Sequence, residues 1–158
     1  MHKLETLTNN EPPVETDIVI VDAMFFIHTL HDPPNTYGKL AEEILQKLCS
    51  LAPKVHFVCD VYKSPSLKEE ERNRRGDTDV TYAITGPEQK RPKDWQRTLR
   101  SPRFKEALFT FLSQEWTCNY NTKYLENCNL CFGFGSICYS YSTKEKTVLR
   151  EKIEKLTC

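Results

Sequence analysis

The chain contains a short, continuously apolar run bounded by two acids, Asp17-Ile18-Val19-Ile20-Val21-Asp22. A run of this length that is rich in β-branched residues is typical of a strand buried on both faces of a parallel sheet. A second run of the same design follows at Val55-His56-Phe57-Val58-Cys59-Asp60. Between them, apolar residues recur at three- and four-residue spacing over residues 37–48, which predicts an amphipathic helix capped near Asn35 or Thr36. Strand, helix and strand in this order predict a βαβ unit with parallel strands.

Further elements are predicted downstream of this unit. A capping box and a closing glycine predict a polar helix over residues 66–75. Asp94 is placed to cap a short helix, and Pro102 begins a longer one with an apolar stripe. Residues 130–141 alternate around Gly135-Ser136 as a β-hairpin does, whereas residues 147–156 are charged, weakly amphipathic and without a clear cap. The expected fold class is α/β: an incomplete Rossmann-like parallel sheet with flanking helices and a C-terminal β-hairpin.

Composition sets limits on function and location. Among 158 residues, 22 Lys and Arg balance 22 Asp and Glu, so any affinity for nucleic acid must come from local clusters of charge. No apolar run approaches the roughly 20 residues that span a bilayer, so no membrane association is expected. The first 17 residues lack the pattern of a secretory signal, which makes a nuclear or cytoplasmic location the expectation. Residues 1–16 are predicted to be a disordered tail and residues 17–158 a single domain.

Asp22 and Asp60 end the two predicted strands. Ligands of an open parallel sheet bind beyond the carboxyl ends of its strands, so both carboxylates are expected in one crevice. Two carboxylates at one place repel each other unless a cation lies between them, and their hard oxygen atoms favour Mg²⁺ or Mn²⁺. An aspartate that ends a strand also serves as a turn residue or a helix cap, and spacing alone does not separate these two roles.

Basic residues are concentrated after residue 89. The cations are Lys90, Arg91, Lys93, Arg97, Arg100, Arg103 and Lys105, and Trp95 lies among them. Such a segment is able to follow a phosphate backbone while the indole stacks on a base. Arg72, Arg74 and Arg75, at the end of the predicted polar helix, would extend this surface or would complement the helix dipole instead. The alternative for the segment is a solvated basic face with Trp95 in the core.

Seven cysteines in a chain without an export signal favour free thiols or a metal site over a disulfide framework. Cys128 and Cys131 have the spacing of a zinc knuckle, with Cys118 and Cys138 as irregularly placed partners. Structural zinc sites usually contain two such pairs. Reduced cysteines in a hairpin are therefore the favoured interpretation, and zinc is not expected.

Several blocks of sequence, taken in order, resemble the N-terminal half of PIN-like nucleases of the flap-endonuclease type. More closely, they are similar to transposon-associated animal proteins of that fold. The blocks that carry the resemblance are Val21-Asp22-Ala23-Met24, Val58-Cys59-Asp60-Val61-Tyr62-Lys63, Ser66-Leu67-Lys68 and Glu71-Arg72-Asn73-Arg74-Arg75-Gly76, with similar blocks at residues 84–95 and 111–116. The resemblance extends over residues 17–141.

The resemblance implies a truncated PIN-like domain with metal-dependent phosphodiester hydrolysis as its ancestral activity. In that family, acids at strand ends hold divalent ions that activate a water molecule and stabilise the leaving oxygen. Asp22 and Asp60 match the first two of these acids. The later acids of the family are absent after Cys138, so one weakly held, hydrated Mg²⁺ or Mn²⁺ is expected.

Three hypotheses follow from the sequence. The first is a nuclease half-site, inactive or incomplete by itself, that is completed by a partner chain or by missing exons. The second is a catalytically dead module that binds DNA, RNA or protein through its basic residues. The third is a small zinc-stabilised adaptor built on the late cysteines.

Overall fold

A computed structural model describes residues 18–59 and 82–153. Its helices are α1 (Ala23–His28), α2 (Tyr37–Cys49), α3 (Trp95–Thr98), α4 (Pro102–Glu115) and α5 (Thr122–Leu125), with a 3-10 turn at Asn119–Asn121 before α5. Its strands are β1 (Val19–Asp22), β2 (Lys54–Val58), β3 (Asn129–Phe134), β4 (Ile137–Lys144) and β5 (Thr147–Ile153). The predicted tail over residues 1–16 and the predicted polar helix over residues 66–75 lie outside the described residues.

The strands form one mixed sheet in the order β1-β2-β3-β4-β5. β1 pairs with β2 in parallel, and β2 pairs with β3 in parallel. The remaining two pairings, β3 with β4 and β4 with β5, are antiparallel. The α/β class and the parallel βαβ unit are therefore confirmed, and the sheet as a whole is mixed because hairpins extend it on one side.

The predicted burial of β1 and β2 on both faces is wrong. Val55 and Phe57 have no exposed surface, whereas Ile20 is 73 % exposed and Val58 is 47 % exposed. Side chains alternate between the two faces of a strand, so one face of the sheet packs against helices and the other carries apolar residues that the described residues do not cover. We call this second surface the open face; it includes Ile20, His56, Val58, Cys131, Cys138 and Leu149.

The core lies between the helices and the other face of the sheet. Trp116 is fully buried, and its ring meets the rings of Phe57, Phe132 and Tyr141 at centroid distances of 6.1, 5.2 and 6.0 Å. The indole N–H donates to the carbonyl oxygen of Ala41 in α2 at 2.9 Å. One side chain therefore joins α4, α2 and the centre of the sheet, and its polar atom is satisfied within the core.

The two predicted helices after residue 93 are confirmed, together with the cap at Asp94 and the position of Pro102. Asp94 accepts a hydrogen bond from the backbone N–H of Arg97 at 3.1 Å, and Ser101 accepts one from Phe104 at 3.3 Å. Pro102 is the first residue of α4, where its missing N–H costs no helical hydrogen bond. Among the described residues, no helix is long and apolar enough to cross a membrane.

The hairpin predicted around Gly135-Ser136 is also confirmed, as β3 and β4. Gly135 has a φ of 58°, a backbone conformation that glycine adopts without steric cost. The weakly amphipathic stretch after residue 146 forms the edge strand β5. β5 pairs with β4 through a second tight turn at Glu145 and Lys146.

Candidate functional site

Asp22 lies at the carboxyl end of β1 and is the N-cap of α1. Its Oδ1 atom accepts a hydrogen bond from the backbone N–H of Phe25 at 2.7 Å, and its side chain is exposed. The sequence left open whether Asp22 caps a helix, and the structure shows that it caps α1. A cap of this kind uses one carboxylate oxygen, so Oδ2 retains lone pairs for a cation or for water.

The register of β1 and β2 determines which residues lie near Asp22. Asp22 is paired with Val58, the last residue of β2. Cys59 continues beside β3, since its backbone N–H donates to the carbonyl oxygen of Gly133 at 2.8 Å. Asp60, the second predicted metal ligand, is the next residue along the chain and lies outside the described residues. Within residues 18–59 and 82–153, no group of three or more His, Cys, Asp and Glu side chains is placed to hold a metal ion.

The segment with the basic residues is attached to the beginning of α2. The backbone N–H groups of Tyr37 and Gly38 donate to the carbonyl oxygens of Gln89 and Pro87, at 3.0 and 2.8 Å. Gly38 permits this approach, because a Cβ atom at its position would lie 2.7 Å from the Cβ of Pro87. The segment therefore has a defined backbone position where it passes α2.

Arg91 has a structural role in this segment. Its Nε donates to the carbonyl oxygens of Pro33 and Pro34 at 2.9 and 3.0 Å, and its Nη1 donates to that of Pro92 at 3.1 Å. Its side chain is 12 % exposed, and its Nη2 lies 3.6 Å from a carboxylate oxygen of Asp32. The guanidinium of Arg91 therefore binds backbone carbonyl groups of the protein itself. The sequence had predicted a contact with phosphate instead.

Trp95 is buried, in contrast to the prediction that it stacks on a base. It is 3 % exposed and meets the ring of Phe104 edge-on at a centroid distance of 5.7 Å. The indole ring of Trp95 is packed within the core. The structure therefore agrees with the alternative interpretation, in which Trp95 is a core residue. Its Nε1 atom is buried and has no hydrogen-bond partner among the described residues.

The other predicted nucleic-acid contacts in the described segment, Lys90, Lys93 and Arg97, are exposed. The side chain of Gln96, which lies between Lys93 and Arg97 in the sequence, bonds to His28 at the end of α1 at 3.3 and 3.4 Å. Asp22 begins the same six-residue helix, whose length is about 9 Å at 1.5 Å per residue. Gln96 and Asp22 therefore lie near opposite ends of α1. Arg72, Arg74 and Arg75 lie outside the described residues.

The late cysteines do not converge on one point. Cys131 and Cys138 lie on the open face, whereas Cys128 is buried and directly precedes β3, and the Cys49 thiol lowers the pKa of Cys128. Burial together with the charge of Glu115 raises the pKa of the Cys118 thiol, and the cysteines of the described residues form no group that is placed to hold a metal ion. The zinc hypothesis required four sulfur atoms around one ion, and this distribution is inconsistent with that arrangement.

Sequence reasoning missed two features. The first is the effect of Cys49 and Cys128 on each other's pKa, although the two residues are 79 positions apart and the cysteine spacing drew attention only to the late cluster. The second is a cleft of about 420 Å³ between residues 82–84 and α4, where apolar residues occur beside Arg103 and Glu106. Neither feature has a local sequence signal, because each depends on how separate segments pack.

Comparison of the chain with protein-family models, with curated proteins and with solved structures found no match in any of the three.

Proposed function

We propose that this chain forms the metal-binding edge of a PIN-like, flap-endonuclease-like nuclease domain. Asp22 and Asp60 would bind one hydrated Mg²⁺ or Mn²⁺, and the ion would act on a phosphodiester of DNA or RNA. Two carboxylates bind such an ion weakly, since Mg²⁺ held by few protein ligands keeps most of its water. We therefore propose that Asp22 and Asp60 alone do not support catalysis and that further acids, from a partner chain or from missing exons, complete the site.

The observation that carries the proposal is the parallel register of β1 and β2. Asp22 is paired with Val58, and Asp60 follows two positions later along the chain. Parallel strands bring their carboxyl ends to the same edge of a sheet, where ligands of open α/β sheets bind. The exposure of Asp22 and the unused oxygen of its carboxylate are compatible with a hydrated cation at that edge.

The experiment separates metal binding from helix capping. Asparagine caps a helix about as well as aspartate but carries no charge. Asp22→Asn and Asp60→Asn should therefore lose Mn²⁺ binding, measured by titration calorimetry or by electron paramagnetic resonance, while Asp22→Asn keeps the melting temperature of the parent. Glu88→Gln, at an exposed acid on the basic segment, is the matched control and should bind Mn²⁺ normally.

Unchanged Mn²⁺ affinity in Asp22→Asn would contradict the metal site. If the full chain cleaves flapped or single-stranded DNA with Mn²⁺, Asp22→Ala and Asp60→Ala should each abolish the cleavage. Cleavage that survives both changes would refute the assignment of the two acids.

A second candidate function is nucleic-acid binding without catalysis. It is supported by the exposure of Lys90, Lys93 and Arg97. Binding of this kind weakens as salt rises, because each phosphate contact releases counterions. It requires neither Asp22 nor a metal, so a chelator separates it from the first candidate.

The test of this second function uses Lys93→Gln combined with Arg97→Gln. The double variant should bind single-stranded DNA more weakly, and the slope of log K against log salt concentration should fall by about 0.7 for each phosphate contact that is lost. Lys144→Gln combined with Lys146→Gln, on the β4–β5 hairpin, is the matched control for total charge. Arg91 is left intact because it holds the segment together. Equal salt slopes in the double variant and the parent would exclude this surface.

A further inference from the structure

The sheet ends on one side at β1, and this edge has no feature that prevents further pairing. Among the described strands, β1 pairs only with β2. Half of the backbone N–H and C=O groups of an edge strand point away from the sheet, and those of residues 19–21 make no hydrogen bond with another described segment. Residues 18–21 include neither a charged residue nor a proline, which are the usual protection of an edge. The edge is therefore able to accept a further strand.

The opposite edge of the sheet, β5, differs in its charge. Arg150, Glu151 and Lys152 are consecutive on this strand, and all three are exposed. When an edge strand pairs in antiparallel fashion with its own copy, the residue at the centre lies opposite itself. A register centred on any of these three residues therefore opposes like charges, which is destabilising. Charge protects β5 in this way, whereas β1 has no such protection.

Large apolar side chains are exposed beside this edge. Ile18 and Ile20 are exposed on the open face, and so is Val58 on the neighbouring strand β2. Phe25 is 72 % exposed, and its backbone N–H is bound by the carboxylate of Asp22 at the end of β1. Exposed apolar surface that is continuous over several residues marks interaction sites. A strand added at the edge would cover Ile18 and Ile20.

Two opposite charges lie on the open face near this edge. Asp22 is the last residue of β1 and is paired with Val58. When the same register is continued to the beginning of the strands, Ile18 lies beside Lys54, the first residue of β2. Asp22 and Lys54 are both exposed, and neither forms an ion pair with another of the described residues. Both charges are therefore available to a partner.

We propose that β1 is a self-association site, at which β1 of a second copy of this chain pairs in antiparallel fashion about a two-fold axis, with Ile20 opposite Ile20. Facing residues of antiparallel strands lie on the same side of the sheet, so this register joins the open faces of the two copies. The two-fold axis closes the assembly at two chains. The inference goes beyond the proposed nuclease function and does not depend on it.

Charge complementarity selects a second copy as the partner and also selects the register. With Ile20 at the centre, Asp22 of one copy lies opposite Ile18 of the other. Lys54 of that other copy is the next residue in the same row of the sheet. The backbones at Asp22 and Lys54 are then two strand spacings apart, about 9.5 Å, and the long lysine side chain extends over Ile18 toward the carboxylate. The two-fold axis forms this pair twice, whereas a register centred on Val19 would move Lys54 out of the row.

The experiment measures the mass of the full-length chain by sedimentation velocity over about 1 μM to 1 mM, the range of weak interfaces. A chelator is present, so that no divalent ion competes for Asp22. The mass should rise reversibly from one chain to two as the concentration increases. A chain that stays monomeric over the whole range overturns the proposal. Growth beyond two chains also overturns it, because pairing of β1 with β5 of the next copy would produce an open series.

Ile20→Lys should abolish the dimer, because it places like charges opposite each other at the centre of the interface. Leu149→Lys, the corresponding change at an exposed position of β5, is the matched control and should leave the dimer intact. A dimer that persists in Ile20→Lys contradicts the assignment of β1. Equal loss in both variants also contradicts it, because association would then depend on the open face in general.

The ion pair has a test of its own. Lys54→Glu and Asp22→Lys should each weaken the dimer by about tenfold, because each change opposes like charges twice. An equimolar mixture of the two variants should dimerise again, since every acid of the mixed pair faces a lysine. Circular dichroism checks that both variants are folded, because Asp22 also caps α1, and the mass of the parent tests the proposal even if Asp22→Lys does not fold. Folded variants that fail to combine would overturn the register and the partner that it assigns.

Discussion

Tyr37 shows how burial of a single polar ring makes stability depend on pH. It begins α2, is 2 % exposed and packs at 5.8 Å from the ring of Phe111. Burial raises the pKa of Tyr37 from 10.0 to about 12, and the nearby Tyr82 adds to the rise. The folded state therefore favours the protonated phenol more strongly than the unfolded state does.

The sign of the effect follows from this difference in pKa. The stabilisation is fully present below pH 10 and is lost as pH rises from 10 to about 12. We expect the free energy of unfolding of Tyr37→Phe to fall less than that of the parent over this interval, by about 2–3 kcal/mol. Urea unfolding at a series of alkaline pH values measures this difference, to which the lysines contribute equally in both proteins. Parallel curves would show that Tyr37 does not titrate in this way.

Arg91 and Trp95 show what residue type alone leaves undetermined. Both occur in a basic segment, and on composition both are candidates for contact with nucleic acid. Arg91 donates to the backbone carbonyls of Pro33 and Pro34, and Trp95 packs on Phe104. Arg and Trp are amphipathic enough to serve either in the interior or at an interface, so the distinction depends on which segments meet them.

At the scale of elements, the turn between β4 and β5 has an unusual composition. Glu145 and Lys146 have φ angles of 49° and 63°, the pattern of a two-residue type I′ turn that normally contains Asn and Gly. Residues other than Asn and Gly adopt this conformation at a cost of roughly 1–2 kcal/mol per residue. The missing Asn-Gly signal explains why the sequence did not predict β5 as a strand.

Lys146→Gly should therefore stabilise the protein by about 1 kcal/mol, since glycine adopts a positive φ without this cost. Chemical unfolding of the parent and the variant gives the change. Lys152→Gly, the same substitution within β5, is the matched control and should destabilise the protein, because glycine weakens a strand interior. A decrease in stability for Lys146→Gly would contradict the turn assignment.

At the scale of the whole molecule, the sheet has one packed face and one open face within the described residues. Val55 and Val58 lie on the same strand and point to opposite faces, at 0 % and 47 % exposure. The two valines therefore provide a matched comparison. When the same substitution is made at each position, the two changes in stability differ only because the surroundings of the side chain differ.

Val55→Thr should destabilise the protein by about 1–3 kcal/mol, since it places a hydroxyl in the packed core. Val58→Thr should change stability by less than about 0.5 kcal/mol, because its hydroxyl remains in contact with water. Urea unfolding of both variants measures the two costs. Equal costs would mean that the open face is covered in the folded chain and would revise the architecture.

The amino-acid sequence by itself determined the local structure of this protein. It predicted the βαβ unit, the cap at Asp94, the helix start at Pro102 and the hairpin at Gly135, because apolar periodicity and turn chemistry act over a few neighbouring residues. It also identified Asp22 as a residue that ends a strand.

The tertiary structure decided what the local pattern left open. A continuous apolar run is the same whether a strand is covered on one face or on both, so the exposure of Ile20 and Val58 became visible only in the assembled sheet. The carbonyl contacts of Arg91 and the burial of Trp95 likewise depend on segments far apart in sequence. Packing between distant segments leaves no periodic signal along the chain, and this is the physical reason that these features belong to the fold alone.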